Sequence, residues 1–204
     1  MAAPWSVAAR PAGTGSPEPK GTIVFASERG GSSIGIFTVN ADGTNVVRLT
    51  GPPPEGIQPA FSADGKSVAF TELAKRSRDE LWIANADGTK PRAVVSDVQS
   101  VDGATPAWSP DGQWIAYRDG RTIKLVQPDG SGRRILVTYT VFGGDPAWAP
   151  NGKELAFDRG TSSASAVWVV GADGRVARRL LLWTRLLERA DLVRDRRRPS
   201  GRQG

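Results

Sequence analysis

Residues 106–134 read PAWSPDGQWIAYRDGRTIKLVQPDGSGRR. Two alternating apolar runs, each beside an Asp-Gly pair of the kind that closes a β-hairpin, mark the segment as paired strands. Working outward, residues 59–92 repeat it as PAFSADGKSVAFTELAKRSRDELWIANADGTKPR, and residues 146–179 as PAWAPNGKELAFDRGTSSASAVWVVGADGRVARR. The second half of a further copy, GTIVFASERGGSSIGIFTVNADGTNVVRLT, stands at residues 21–50.

The spacing is regular. The downstream turn recurs at Asp42, Asp87, Asp129 and Asp173, at intervals of 45, 42 and 44 residues, and the upstream turn at Asp64, Asp111 and Asn151, at intervals of 47 and 40. A period in this range with about four strands per unit is that of a β-propeller blade. The expected fold is therefore all-β, a propeller of about four four-stranded blades over residues 21–180. The blades fall at about 21–50, 57–95, 104–138 and 144–180, and the first lacks a convincing inner strand. Residues 1–20, rich in Ala, Pro, Gly and Ser, read as a disordered leader without the apolar core of a secretory signal. The first blade's missing strand belongs there, and SPEPK at residues 16–20 is only a degenerate echo of SPDGQ. As written this points to the cytoplasm.

Past the last copy the period changes. In LLLWTRLLERADLVRDRRR, residues 180–198, the positions Leu182, Leu186, Leu187, Ala190 and Val193 fall at helical spacing, and Pro199 follows. Residues 181–204 read as a basic amphipathic helical tail. Three readings of it stay open: a cap on the edge strand of blade four, a segment lying on an anionic membrane or a partner, or read-through in a shifted frame.

Composition narrows the chemistry. The 204 residues hold 24 glycines and 15 prolines, which suits many tight turns, and no apolar run is long enough to span a bilayer. Cys and His are both absent, which removes the usual base of a Ser-His-Asp site and the usual ligands of zinc. GSSIG at residues 31–35 matches the nucleophile-elbow pattern only by letters, because it sits in a Gly-rich loop of a chain without His. The Asp-Gly pairs lack the alternating acids of a calcium loop, and no phosphate-cradling motif occurs, so no cofactor is expected. The formal charge of +6 divides unevenly: 18 Lys plus Arg face 17 acids over residues 21–180, while residues 181–204 carry seven Arg and three acids. The repeat region is nearly neutral, which argues against nucleic acid as its partner.

The wording PAWSPDG, then WIAY, then NADGT followed by RLT resembles the TolB-type β-propeller repeat, a distant relative of the WD-repeat blade, over residues 21–180. The resemblance implies a protein that binds other proteins through a propeller face, commonly of six blades and extracytoplasmic. Similar propellers also cap prolyl-oligopeptidase-like catalytic domains. The expected function is thus a non-enzymatic protein–protein interaction module. The alternative is a truncated piece of a larger propeller-containing enzyme or sensor.

Alternation of strand direction puts every Asp-Gly turn at one end of the blades, and the middle loops and inter-blade connections at the other. The second end varies in length and charge, as functional loops do. Register places Glu28 and Arg29, Glu72, Arg118 and Asp119, and Asp158 and Arg159 just after the second strand of each unit. These charges either pair with one another and fix neighbouring blades, or form a protein-docking rim with Arg76, Arg78 and Arg121 as protruding cations. Trp108, Trp114, Tyr117, Trp148 and Trp168 are expected to pack between blades. Expected partners are proteins, including a second copy of the chain to complete a ring.

Overall fold

Alternating apolar runs separated by turn residues pair most readily with their neighbours in sequence, giving antiparallel meanders. The computed structural model describes residues 7–9, 21–29, 33–51, 55–73, 78–99, 103–139, 142–160, 164–175 and 177–184. Blade 1 comprises β1 (Val7–Ala9), β2 (Thr22–Ser27), β3 (Gly35–Asn40) and β4 (Val47–Arg48). Blade 2 comprises β5 (Gly56–Phe61), β6 (Ser67–Glu72), β7 (Asp79–Asn85) and β8 (Arg92–Val98). Blade 3 comprises β9 (Ala107–Trp108), β10 (Ile115–Asp119), β11 (Thr122–Val126) and β12 (Arg134–Thr138). Blade 4 comprises β13 (Phe142–Trp148), β14 (Glu154–Gly160), β15 (Ala164–Gly171) and β16 (Arg178–Thr184). Each blade is one four-stranded sheet in sequence order.

The first strands of successive blades touch, β1 against β5, β5 against β9 and β9 against β13, so the first strand of each blade is its inner one. Side chains pin this inner layer. Trp108 Nε1 donates to the Ala60 carbonyl at 3.2 Å, and Trp148 Nε1 makes the equivalent bond to Ala107 at 3.1 Å.

Because strand residues alternate between faces, each sheet buries one set of side chains against the blade before it and the other against the blade after it. Val24, Ala26 and Ile36 meet Val68, Phe70 and Ala84 between blades 1 and 2. Ala69, Leu81, Ile83 and Val95 meet Ile115, Tyr117 and Val126 between blades 2 and 3, with Trp108 packed alongside. Ala116, Ile123 and Leu125 meet Leu155, Phe157 and Val170 between blades 3 and 4, flanked by Trp114, Trp148 and Trp168. All five expected aromatics therefore lie in the seams. Among the described residues no fourth cluster joins blade 4 to blade 1. The outward faces show it: Phe25 is half-buried where its counterparts Phe70, Tyr117 and Phe157 are 0%, 1% and 2% exposed.

Two expectations at the ends are corrected. Residues 7–9, read as disordered leader, are the inner strand of blade 1, pairing Val7 with Phe25 and Ala9 with Ile23. The rest of residues 1–20 lies outside the described residues. Leu180 to Thr184, read as the start of a helix, continue the outer strand β16, with Leu182 opposite Ala166 and Thr184 opposite Ala164. Pairing there supplies partners to the open edge of β15, which helical spacing alone does not provide. Residues 185–204, the remainder of that helical expectation, lie outside the described residues. Among the described residues no helix is long and apolar enough to cross a membrane.

Candidate functional site

The two ends of the blades differ in kind. At one end the seven hairpin turns among the described residues close on the same device. In the turns between third and fourth strands the amide of Gly43, Gly88, Gly130 or Gly174 donates to the carbonyl three residues back, each glycine standing at φ between 83 and 91°. This is a tight turn followed by a left-handed residue, the three-residue hairpin loop in which glycine avoids the Cβ clash. The aspartate before the glycine accepts from the amide two residues on: Asp42 from Thr44, Asp87 from Thr89, Asp129 from Ser131 and Asp173 from Arg175. These carboxylates are occupied by their own turns.

At Asp42, Asp64, Asp87, Asp111 and Asp129 such hydrogen bonds favour the ionised form. In the upstream turns, Ser109 Oγ donates to Asp111 at 2.5 Å and the Gln113 amide at 3.0 Å, and the Asp111 carboxyl is held below its ordinary value by these two bonds. Asp42, Asp64, Asp87 and Asp129 are lowered for the same reason, the side-chain hydroxyl bond coming first in each. A carboxylate whose pKa falls on folding stabilises the fold above the unfolded value and loses that contribution as pH drops through the folded one. Urea midpoints should therefore fall as pH drops through and below the carboxylate range. Asp111→Asn should flatten that decline measurably, since blade 4 carries Asn151 at this position and keeps the bond from Lys153 N at 2.9 Å. An unchanged slope would show that these turns do not contribute to acid sensitivity.

The opposite end carries the β6–β7, β10–β11 and β14–β15 loops and the inter-blade connections. Here the structure resolves register. Phe25, Phe70, Tyr117 and Phe157 occupy one position in the four second strands, so Arg118 corresponds to Asp158 and to Thr71, and Glu72 to Asp119 and Arg159. Glu28 and Arg29 stand one and two residues beyond that layer, both exposed, and the Arg29 amide folds back on Ser27 Oγ at 3.1 Å.

Four of the ten expected rim residues are tied inward. Arg118, its side chain 16% exposed, donates from Nη2 to the Gly103 carbonyl at 3.0 Å and lies 3.9 Å from Asp145 Oδ1, while its buried Nε has no partner. Asp119 accepts from the Gln99 amide at 2.8 Å and from Lys124 Nζ at 2.5 Å. Asp158 caps the entry of blade 4 by accepting from the Gly144 and Asp145 amides at 2.9 and 3.0 Å. Arg159 lies over the Trp168 ring, 4.9 Å from its centroid. These contacts fasten connections and strands to one another.

Glu72 faces Glu80 across the β6–β7 pair, and burial, then the Glu80 and Glu55 carboxylates, raise its pKa. Of the three expected protruding cations, Arg78 and Arg121 face outward, as Arg29 does. Arg78 Nε meets Asp97 Oδ1 at 3.0 Å with half of its side chain exposed, and Arg121 is exposed at the β10–β11 turn. Arg76 lies outside the described residues. Sequence reasoning missed Thr71, Gln58 and Thr105, which clamp the connection between blades 2 and 3: Thr71 Oγ1 accepts from Ala104 N, and Gln58 Oε1 from Thr105 N, each at 2.9 Å. Their signal was position within the repeat, readable only once the strands are in register.

Comparison with known proteins agrees with this architecture. The family described as the TolB beta propeller domain matches residues 6–185. Among curated proteins, the Tol-Pal system protein TolB of Alcanivorax borkumensis is 34% identical over 84 residues, covering 40% of this chain and 19% of that protein. The protein TolB homolog of Chlorobium luteolum is 32% identical over 112 residues, covering 53% of this chain and 24% of the relative. This chain thus spans between 14% and 26% of the curated relatives it matches. The solved structure of a putative TolB from Agrobacterium tumefaciens superposes with a TM-score of 0.71 at 19% identity, covering 80% of this chain and 62% of that one. Four inner-to-outer meanders joined face to face, with a family match that takes in the short first strand at residues 7–9, make this chain a member of the TolB β-propeller domain family.

Proposed function

We propose that the chain is a non-enzymatic docking module of a bacterial Tol-Pal-type system, binding a polypeptide with an acidic surface at the end that carries the β6–β7 and β10–β11 loops. The carrying observation is the contrast between the two ends. The Asp-Gly end repeats one self-satisfied turn, whereas the other presents Arg121 exposed and Arg78 half-exposed on loops that differ from blade to blade. Arginine on a rim of this kind is a favoured energetic anchor for a protein partner. The relatives' name, Tol-Pal system protein, supports the choice of system.

The test uses a photo-cross-linking residue at position 121 and, as control, at position 42, in cells, together with binding of the purified chain to the Tol-Pal components of its own host. Cross-links should form from position 121 only, and an Arg76, Arg78 and Arg121 triple-Ala variant should bind about tenfold more weakly, with a shallower salt dependence. Equal cross-linking from both ends, or unchanged affinity, would overturn the assignment of the surface. Peptidase or lactonase turnover by the pure protein would overturn the non-enzymatic reading.

A further inference from the structure

With the blades in register, one position in blade 3 departs from the other three. The third-strand residue opposite the second-strand aromatic is Phe37 opposite Phe25, Trp82 opposite Phe70 and Trp168 opposite Phe157, but Lys124 opposite Tyr117. The rings of the first two pairs stack, with centroids 5.7 and 6.4 Å apart. Trp82 also packs in one cluster with Leu49 of the preceding blade's outer segment, and Trp168 with Val137 of β12. Lys124 has no ring to fill the corresponding space. Its Nζ turns to Asp119 Oδ2 instead, with the two side chains 30% and 11% exposed.

A cleft of about 330 Å³ stands there between blades 2 and 3, with Val95, Ser96 and Asp97 of β8 on one wall and Tyr117, Lys124 and Arg133 on the other. That is at the small end of ligand sites, of order 300 Å³, and suits a single ring system. Several of its charges are already engaged. Asp97 holds Arg78, and Asp119 holds Lys124 and the Gln99 amide. Arg134 leaves the cleft, its guanidinium bonded to the Ala172 carbonyl and lying over Trp114.

The uncommitted groups are donors. Tyr117 is 1% exposed, and among the described residues its hydroxyl has no hydrogen-bond partner. Burial, with Asp119 nearby, pushes that hydroxyl up to about 12, so it keeps its proton. Arg133 spends one Nη2 bond on the Val94 carbonyl at 2.8 Å, which leaves further N–H groups of a five-donor guanidinium. Among the described residues the buried polar side-chain atom without a partner is Arg118 Nε, so the Tyr117 hydroxyl is open to the cleft, where an entering carboxylate oxygen can accept from it.

We propose that this cleft binds an aromatic carboxylate. Its ring takes the place that Trp82 and Trp168 hold in their own blades, and its carboxylate accepts from Tyr117 and Arg133. Two sources carry this chemistry, a free aromatic acid and the C-terminal aromatic residue of a partner polypeptide. The cleft adjoins the docking surface, because Asp97 on its wall holds Arg78, but ligand binding in it is read without any docking partner.

The experiment titrates isotope-labelled protein, followed amide by amide in NMR, with N-acetyltryptophan, with indole, and with a Gly-Gly-Gly-Trp peptide as free acid and as C-terminal amide. N-acetyltryptophan should give saturable shifts centred on Ser96, Tyr117, Lys124 and Arg133, with indole and the peptide amide about tenfold weaker than their acids. Lys124→Trp, which rebuilds the missing ring, should abolish the shifts. Arg133→Gln should weaken the acids about fivefold and leave indole unchanged. A peptide acid tighter than N-acetyltryptophan identifies the polypeptide source, and a weaker one the free acid. No saturable shift at these amides up to about 10 mM, or acids no better than indole, would overturn the proposal. So would retained binding in a folded Lys124→Trp protein. Should that variant not fold, the Arg133→Gln series and the wild-type shift map decide.

Discussion

Gly88→Ala should cost about 2–4 kcal/mol of stability, lowering Tm by roughly 5–15 °C, while Gly43→Ala should cost about 1–2 kcal/mol. The two glycines make the same turn, at φ 83 and 84°, so the left-handed penalty is common to both. Their surroundings are not the same. A Cβ on Gly43 would meet nothing within 4 Å, whereas one on Gly88 would stand 2.5 Å from the carbonyl oxygen of Leu49 in the preceding blade. That atom is backbone and cannot swing aside, so either the turn or the blade must shift. The difference between the variants by calorimetry measures how firmly blade 2 is seated on blade 1. Equal losses would mean that the seam opens at no cost.

The second large effect separates inner seams from outer faces. Phe70→Ala should cost about 3–5 kcal/mol, because Phe70 is 0% exposed between blades 1 and 2 and stacks on Trp82 with ring centroids 6.4 Å apart. Phe25→Ala, at the same register position on the outward face of blade 1, should cost about half as much, since that ring, stacked on Phe37, is half-buried. Chemical denaturation of the two variants supplies the ratio. We propose further that the outward faces of blades 1 and 4 associate between two copies of this chain. The Phe25→Ala cost should then rise with protein concentration, and wild type should sediment faster than a monomer at about 100 µM. A monomer at that concentration, with a concentration-independent cost, would refute the association.

Much of the fold could be read from turn chemistry. The recurrence of Asp42, Asp87, Asp129 and Asp173 gives the blade period because each turn must reverse the chain at the same point of a meander, and the pairing follows it. Where no turn motif marks an element, the reading failed. Val7–Ala9 is three residues long and carries no PAW signature, so nothing local distinguishes it from the residues around it. The run LLLWTRLL satisfies helical spacing and strand propensity alike, and the free edge of β15 decides for the strand over Arg178–Thr184. The rim was legible as charge but not as contact. Whether Arg118 protrudes or grips Gly103 depends on a connection threaded from the neighbouring blade, and sequence spacing carries no information about that. Lys124 stands out only against the three aromatics in register with it, an alignment that strand pairing supplies.

The seating of each downstream turn has a further consequence. Gly88 lies against Leu49, Gly130 against the carbonyl of Val94 and Gly174 against that of Leu136, so every unit brings its own knob and offers its successor the same socket. Joints of this kind are interchangeable. The chain is therefore built to lengthen or shorten in whole units of 42 to 45 residues, cut anywhere in phase, without a new interface having to be invented. A change in copy number would alter the curvature and reach of the molecule and leave its joinery untouched.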